Sequence, residues 1–344
     1  MESNMPSEKK NVQVLLARRP ENAPQPDDFE VRDGVVPRPT EGQILVRNAF
    51  LSLDPYMRGR MKDAKDAYAD PYPLGAPVGG TTVGTVIESR SPGYRCGDLV
   101  VGPGGWQHFS AYDGVEARKL PDGMDHPSHA LGVLGMTGQT AWHGLLSIGE
   151  PKAGETLVVG AASGAVGSIV GQIAKLKGCR VVGIAGGPDK CRHVVENLGF
   201  DACIDHRDEA FATNLKDAVP EGIDIYFENV GGAVFDAVWP LLNIHARMPV
   251  CGTIARYNGA DTGAQHDRVP ELAFSLIARR ITMKGFLIFD HKDEIDLFTT
   301  EMNAWLADGS IRADEDITDG LAHAPEVFIG MLGGGNLGKT IIRL

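Results

Sequence analysis

The chain has no disulfide framework. Five cysteines, at positions 96, 179, 191, 203 and 251, are spread over 344 residues. They are odd in number and partly inside predicted strands, the pattern of reduced core residues in a cytoplasmic protein. None is nearer to another than the twelve positions from 179 to 191, so a structural zinc lobe with closely spaced thiolates is not expected. The ten histidines are just as scattered. No apolar run approaches the ~18 residues a membrane span needs. The opening MESNMPSEKKN is polar and lacks a secretory hydrophobic segment, and residues 1 to about 10 are expected to fray. Basic residues are outnumbered, 33 against 45 acidic, for a net charge of −12. That argues against nucleic acid or an anionic membrane as a main partner. A local group of Lys and Arg would stand out from this background as an anion site.

What is present is a hydrophobic share of 43%, ordinary for a globular chain, at a length that suggests two domains. Up to about residue 125 the pattern is β-rich, with strands expected at 12–16, 43–48, 82–88 and 99–101, and a loop at 62–72. Residues 129–146 read as a helix broken by glycines. Strands then alternate with helices to about residue 300: strands near 202–204, 223–228, 247–250 and 281–285, helices over 234–242, 270–279 and 294–307. An edge-like strand closes the tail. The fold class is therefore α/β, a doubly wound parallel sheet joined to a smaller β-rich domain, with the cleft between them as the default active site.

The organising stretch is ETLVVGAASGAVGSIVGQIAK, residues 155–175. Leu157-Val158-Val159 reads as a buried parallel strand. A turn of small residues follows, and then apolar residues at helical spacing: Val166, Ile169, Val170, Ile173 and Ala174. Strand, glycine turn and helix in that order form the phosphate-binding start of a dinucleotide fold. Small residues let backbone N–H groups at the helix start reach a pyrophosphate. The turn reads Ala162-x-Gly164-x-x-Gly167, with alanine for the first glycine, and by itself could be a tight turn that binds nothing. A second strand, Cys179–Ala185, follows as a βαβ unit requires. An NAD-binding chain would place an acid at its end. Here stand Gly186-Gly187-Pro188, with Lys190 and Arg192 just beyond, which suits the 2′-phosphate of NADPH. Asp189 follows the proline and belongs to the first turn of the next helix.

Several longer stretches carry a family resemblance: LSLDPYMRGRM at 51–61, GVLGM at 132–136, AASGAVG at 161–167, VVGIAGGPDKC at 181–191, ENVGG at 228–232, CGTIARYN at 251–258 and NLGKT at 336–340. From about residue 12 to the end the sequence resembles the zinc-independent medium-chain dehydrogenases/reductases of the prostaglandin/leukotriene reductase and 2-alkenal reductase group. The resemblance implies a GroES-like catalytic domain (1–128, completed by 307–344), a Rossmann domain (129–306) and a homodimer. It implies NADPH-dependent reduction of the C=C bond of α,β-unsaturated ketones and aldehydes, with curcumin-, alkenal- or enone-type substrates. The family's usual G-M-P-G is here Gly135-Met136-Thr137-Gly138, which restores an N–H and frees φ. Val78-Gly79-Gly80-Thr81 stands where zinc alcohol dehydrogenases, which resemble this chain otherwise, carry G-H-E.

The resemblance also assigns roles. Ala165, Val166, Gly167 and Ser168 would hold the pyrophosphate. Gly187 would be among the cofactor contacts, Lys190 would meet the 2′-phosphate, and His206 would lie beside the adenosine end. Asn229 would meet the cofactor at the end of its strand, Cys251, Gly252 and Thr253 would face the nicotinamide, Phe286, Leu287 and Ile288 would wall it, and Asn336 would bond the cofactor from the other domain. Without a metal, charge on the substrate oxygen needs a preorganised donor. Tyr257, also counted among the cofactor contacts, is the family's candidate, and Tyr56 lines the same site in relatives. The cofactor ribose or a water could share the proton. Either tyrosine could instead be a rim or packing aromatic, His206 a solvated loop residue, and Asn229 and Asn336 turn residues. No Ser/His/Asp or Cys/His arrangement supports covalent catalysis. Two other readings stay open: a quinone reductase of the same superfamily, and an NADPH-binding protein without catalysis.

Overall fold

The computed structural model describes residues 10–63, 69–259 and 269–344. The expected fraying of the first ten residues falls almost wholly outside them, as does the middle of the loop expected at 62–72. The described chain divides into two compact units, one of residues up to Leu131 with Ile317–Gly333 and Thr340–Leu344, the other of Gly132–Asp316 and Gly334–Lys339.

The first unit opens with β1 (Lys10–Leu16) antiparallel to β2 (Phe29–Val35). There follow β3 (Gln43–Ser52), the single turn α1 (Met57–Arg60), β4 (Thr82–Ser89), β5 (Leu99–Gly102), β6 (Phe109–Asp113) and β7 (Arg118–Lys119). Sequence patterning anticipated four of these strands and passed over β2, β6 and β7. The reason is burial: β2 (FEVRDGV) is largely exposed and charged, and β7 is two exposed residues, so neither shows alternation. Trp106 is fully buried, stacked on Phe29 with ring centroids 5.6 Å apart and met edge-on by Phe328 at 5.7 Å.

The second unit begins within the segment expected as a broken helix. The expected stretch opens on a 3₁₀ turn, Pro127–Leu131, that still belongs to the first unit, and continues in the second as α2 (Met136–His143) and a π-helical turn, Gly144–Gly149. Its glycines are packing requirements. A Cβ on Gly138 would lie 1.9 Å from the Val133 carbonyl, and one on Gly144 would lie 2.7–2.8 Å from the rings of Phe286 and Phe227. Thr137, at the family's proline position, donates its hydroxyl to the Gly132 carbonyl at 3.1 Å. Next come β8 (Thr156–Gly160), α3 (Gly167–Leu176), β9 (Arg180–Ala185), α4 (Pro188–Leu198), β10 (Ala202–Asp205), α5 (Phe211–Ala218), β11 (Ile223–Phe227), α6 (Gly232–Val238), β12 (Leu242–Val250), α7 (Val269–Arg279), β13 (Thr282–Gly285) and α8 (Ile295–Ala307). The helix expected over 234–242 ends early. α6 stops at Val238 and tightens into a 3₁₀ turn containing Pro240, which has no N–H to continue the ladder, so β12 starts at Leu242 instead of 247.

The sheet of the second unit is parallel, in the order β10-β9-β8-β11-β12-β13. Numbered from β8, that is 3-2-1-4-5-6, the doubly wound dinucleotide topology, whose order reverses between β8 and β11. Buried Val158, Val182, Ile223 and Met248 pack on one face, Leu157, Val159, Ile169, Val170 and Ile173 on the other. The chain closes with β14 (Glu315–Asp319), α9 (Ala324–Leu332) and β15 (Lys339–Arg343), giving the sheet order β14-β15-β3-β4-β5-β7, with β6 on β3. No helix among the described residues is long and apolar enough to cross a membrane.

Candidate active site

The turn after β8 is shaped by contact. Ala161 sits at φ +52, the left-handed region, and the Gly164 N–H donates to its carbonyl at 2.9 Å. At Gly167, the first residue of α3, a Cβ would stand 2.3 Å from the Ala161 oxygen, so no side chain fits. Ala162 is fully buried and a Cβ on Gly183 of β9 would come within 2.8 Å of its methyl. A methyl at 162 therefore fits because position 183 is glycine, which explains why the first glycine of the motif is dispensable here. Ala165, Val166, Gly167 and Ser168 together form the turn and first residues of α3, the arrangement that presents backbone N–H groups to phosphate.

At the ends of β9 and β10 a cationic corner forms. Gly187 adopts φ +98 and caps α4, and its N–H donates to Asp205 Oδ1 at 2.8 Å. Asp205 also accepts the Arg207 N–H at 2.9 Å. These two bonds hold the Asp205 carboxyl below its ordinary pKa, the one from Gly187 contributing most. A Cβ on Gly186 would lie 2.9 Å from His206 Nε2 and 3.0 Å from Arg207 Nε, so an acidic residue at this edge would displace both side chains. Half-buried Lys190 donates to the carbonyls of Gly334 (2.8 Å) and Asn336. Burial, and then the Arg207 charge, lower its pKa. Burial and the same Arg207 charge lower that of His206, favouring neutral imidazole. Arg192 is not part of this corner: it pairs with Asp189 at 3.0 Å on the exposed face of α4.

The remaining strand ends carry the rest. Asn229, following β11, donates its amide to the Gly160 carbonyl of β8 at 2.9 Å, bridging the two strands where the sheet order reverses. The buried Glu228 carboxylate accepts N–H donors from Val230 and Gly231, and burial raises its pKa. Cys251, Gly252 and Thr253 follow β12. A Cβ on Gly252 would be 3.3 Å from the Tyr257 hydroxyl, which therefore lies over the glycine. Phe286, Leu287 and Ile288 follow β13, with Phe286 edge-on to Phe227 at 6.5 Å. Asn336 lies with this unit: its carbonyl accepts from Lys190, its side-chain amide donates to the Gly338 carbonyl at 2.9 Å, and the Gly338 N–H donates to the Ser163 carbonyl at 2.7 Å. It was expected to reach the cofactor from the catalytic domain. The return of the chain is instead divided, 334–339 clustering with the second unit. Tyr56, expected beside Tyr257, lies in the first unit at the start of α1, against the cluster containing Leu53, Met57 and Trp106.

All the residues expected to hold the cofactor thus belong to the second unit, nearly all at the carboxyl ends of its strands. Sequence reasoning missed Arg207 and Asp205. The signal was available: Arg207 adjoins His206 at the end of the third strand. The donor set fits a dinucleotide with a 2′-phosphate, since Lys190 and Arg207 flank the Gly186-Gly187 end of β9, which carries no acid, and the one neighbouring carboxylate, Asp205, is engaged by the N–H groups of Gly187 and Arg207. Among the described residues, His143, His291 and Glu294 place potential metal-ligand atoms within 4.8 Å of one another. His143 Nδ1 is already 2.6 Å from Glu294 Oε2, and Gln139 donates to the His291 carbonyl at 2.8 Å, so the group clips α2 to the chain after β13.

Comparison with known proteins agrees with this geometry. Residues 12–120 match the family described as N-terminal domain of oxidoreductase, and 165–303 that described as zinc-binding dehydrogenase. The chain is 52% identical over 336 residues to the NADPH-dependent curcumin reductase of Escherichia coli, covering 97% of each. It is 38% identical to the NADP(+)-dependent 2-alkenal reductase of Nicotiana tabacum, covering 99% of each. The crystal structure of CurA from Vibrio vulnificus in complex with NADPH superposes with a TM-score of 0.94 at 49% identity, covering 96% of this chain and 98% of that one. The chain belongs to the medium-chain dehydrogenase/reductase family, in the group that contains the curcumin, 2-alkenal and prostaglandin reductases.

Proposed function

We propose that this protein reduces the C=C bond of α,β-unsaturated ketones and aldehydes with NADPH, without zinc. The observation that carries the reading is the near full-length identity to an NADPH-dependent curcumin reductase, 52% over 97% of both chains. When bound, NADPH supplies the hydride, which goes to the β-carbon of the enone. The chain's residues do the positioning. Ala165, Val166, Gly167 and Ser168 hold the pyrophosphate, Lys190, Arg207 and Gly187 hold the 2′-phosphate, and His206 lies along the adenosine. Asn229, Cys251, Gly252 and Thr253 face the nicotinamide, with Phe286, Leu287 and Ile288 as its wall and Asn336 as a further hold.

Negative charge then gathers on the substrate oxygen, and the Tyr257 hydroxyl donates to it. Tyr56 lines the substrate and donates in a substrate-dependent way. The absence of zinc rests on residue chemistry. At Val78-Gly79-Gly80-Thr81, where zinc alcohol dehydrogenases carry G-H-E, neither His nor Glu stands, and a Cβ on Gly79 would be 2.6 Å from the Tyr72 ring and one on Gly80 3.0 Å from Leu51. The protein is proposed to act in the cytoplasm as a homodimer. Assay with NADPH against enones, alkenals and quinones, with product analysis, tests the reading. A saturated ketone supports it, a hydroquinone favours the quinone reductase reading, and NADPH that binds but is not oxidised by any of them rejects catalysis.

A further inference from the structure

Glu228 follows β11 and is 2% exposed. A buried carboxylate is costly unless donors meet it. Its Oε1 accepts the N–H of Val230 at 2.5 Å and that of Gly231 at 2.9 Å, charge-assisted bonds from two successive peptide units. The far ends of the same two units hold a second segment. The Asn229 carbonyl, which shares a peptide unit with the Val230 nitrogen, accepts the N–H of Ile254 at 3.2 Å. The Val230 carbonyl, paired in the same way with the Gly231 nitrogen, accepts the N–H of Ala255 at 3.0 Å. The backbone carbonyl of Glu228 itself accepts from Cys251 at 2.9 Å and from Gly252 at 3.2 Å. Residues 251–255 thus hang from three successive carbonyls. Tyr257 closes the segment: its N–H donates to the Ile254 carbonyl at 3.1 Å, at the end of the 3₁₀ turn Ile254–Arg256.

We infer that Glu228 is a positioning residue: its carboxylate sets the tilt of two peptide planes, and through them the place of the Tyr257 hydroxyl over Gly252. A peptide unit is planar and stiff, so its N–H and C=O ends cannot tilt independently. Fixing the N–H ends at Val230 and Gly231 therefore fixes the direction of the carbonyls that carry Ile254 and Ala255. The Asn229 side chain ties the same loop to β8 through the Gly160 carbonyl at 2.9 Å.

The corner around Lys190 and Arg207 is held by other bonds, those of Asp205 and of the 334–336 turn. Loss of the Glu228 carboxylate should therefore reach the reaction more than the binding of the cofactor. Misplacing a reacting group by about 1 Å costs on the order of 100-fold in rate.

The effect on rate, but not the placement itself, rests on the reading of Tyr257 as the donor to the substrate oxygen. The test uses the full-length protein with Glu228→Ala, Glu228→Gln, Tyr257→Phe and the Glu228→Ala/Tyr257→Phe pair, assayed with NADPH and one enone. Glu228→Ala should lower kcat about 10- to 100-fold. The Kd for NADPH, read by fluorescence, should change less than about threefold, as for sites without shared partners. Glutamine keeps an acceptor oxygen without the charge, so Glu228→Gln should stay within about fivefold of wild type. In the Tyr257→Phe background Glu228→Ala should cost less than about threefold, because the group it places is gone. An equal cost in both backgrounds, or a glutamine variant as impaired as the alanine one, overturns the inference. Hydrogen exchange reads the placement without turnover. Residues 251–258 should exchange about tenfold faster in Glu228→Ala and about threefold faster in Glu228→Gln, with 157–175 unchanged. Should the alanine variant fail to fold, the glutamine variant decides, and wild-type exchange at 251–258 in it overturns the inference. Faster exchange there together with wild-type kinetics for Tyr257→Phe would count against Tyr257 as the donor alone and support its placement by Glu228.

Discussion

Lys190 and Asn336, 146 positions apart, are joined by a hydrogen bond from the lysine ammonium to the asparagine backbone carbonyl, and the same ammonium donates to Gly334 at 2.8 Å. The cation expected to read the 2′-phosphate therefore also pins the 334–336 turn. Removing Lys190 loosens two things, whereas Arg207 stands beside Gly186 and Gly187 without those bonds. Arg207→Ala is accordingly the cleaner test. It should raise the KM for NADPH about tenfold, as expected for one charge-assisted contact of roughly 1.5–3 kcal/mol, and leave NADH nearly unchanged. Lys190→Ala should do the same to NADPH and also lower thermal stability. Steady-state kinetics with both cofactors check this; equal losses with NADH would remove both residues from the 2′-phosphate.

Tyr257→Phe should lower kcat/KM for an enone about 10- to 1,000-fold, the upper end being the cost of one oxyanion donor. The ring is retained, so NADPH binding measured by fluorescence should barely change. Tyr56→Phe should cost less and vary with substrate. Wild-type kinetics for Tyr257→Phe on several unrelated enones would leave it only a pocket wall.

Gly167→Ala places a methyl 2.3 Å from the Ala161 carbonyl, and both partners are backbone. Neither can rotate aside. Unfolding in urea should show a loss of about 1–3 kcal/mol, and NADPH affinity should fall because the turn must open.

Asp205 ionises more readily in the folded chain, through the N–H bonds from Gly187 and Arg207. A depressed carboxylate stabilises the fold above its unfolded pKa of about 3.9, and that contribution is lost as pH falls through the lower folded value. Asp205→Asn should thus be less stable than wild type at neutral pH, with the gap closing below about pH 4. Thermal unfolding across pH checks the sign; a gap that stays constant into acid would show that the charge is irrelevant.

Chelation should leave activity intact. EDTA treatment followed by enone assay, with metal analysis of the purified protein, tests this; activity lost and then restored by zinc would reassign His143, His291 and Glu294 from a clip to a ligand set.

The sequence by itself determined the second unit's plan. Buried parallel strands such as Leu157-Val158-Val159 carry their identity in composition, and the small residues at 160–167 announce a close backbone approach, because both signals are local. Exposed β2 and β7 lacked such a signal, and Pro240 shortened a helix that apolar periodicity alone would have extended. Tertiary structure decided what proximity decides. It set Arg207 beside Gly186, divided the tail so that Asn336 lies with Lys190, and brought the N–H groups of Cys251 and Gly252 onto the Glu228 carbonyl. Ala162 is the same case: its methyl at the first glycine position is possible only because Gly183, on the neighbouring strand, has none.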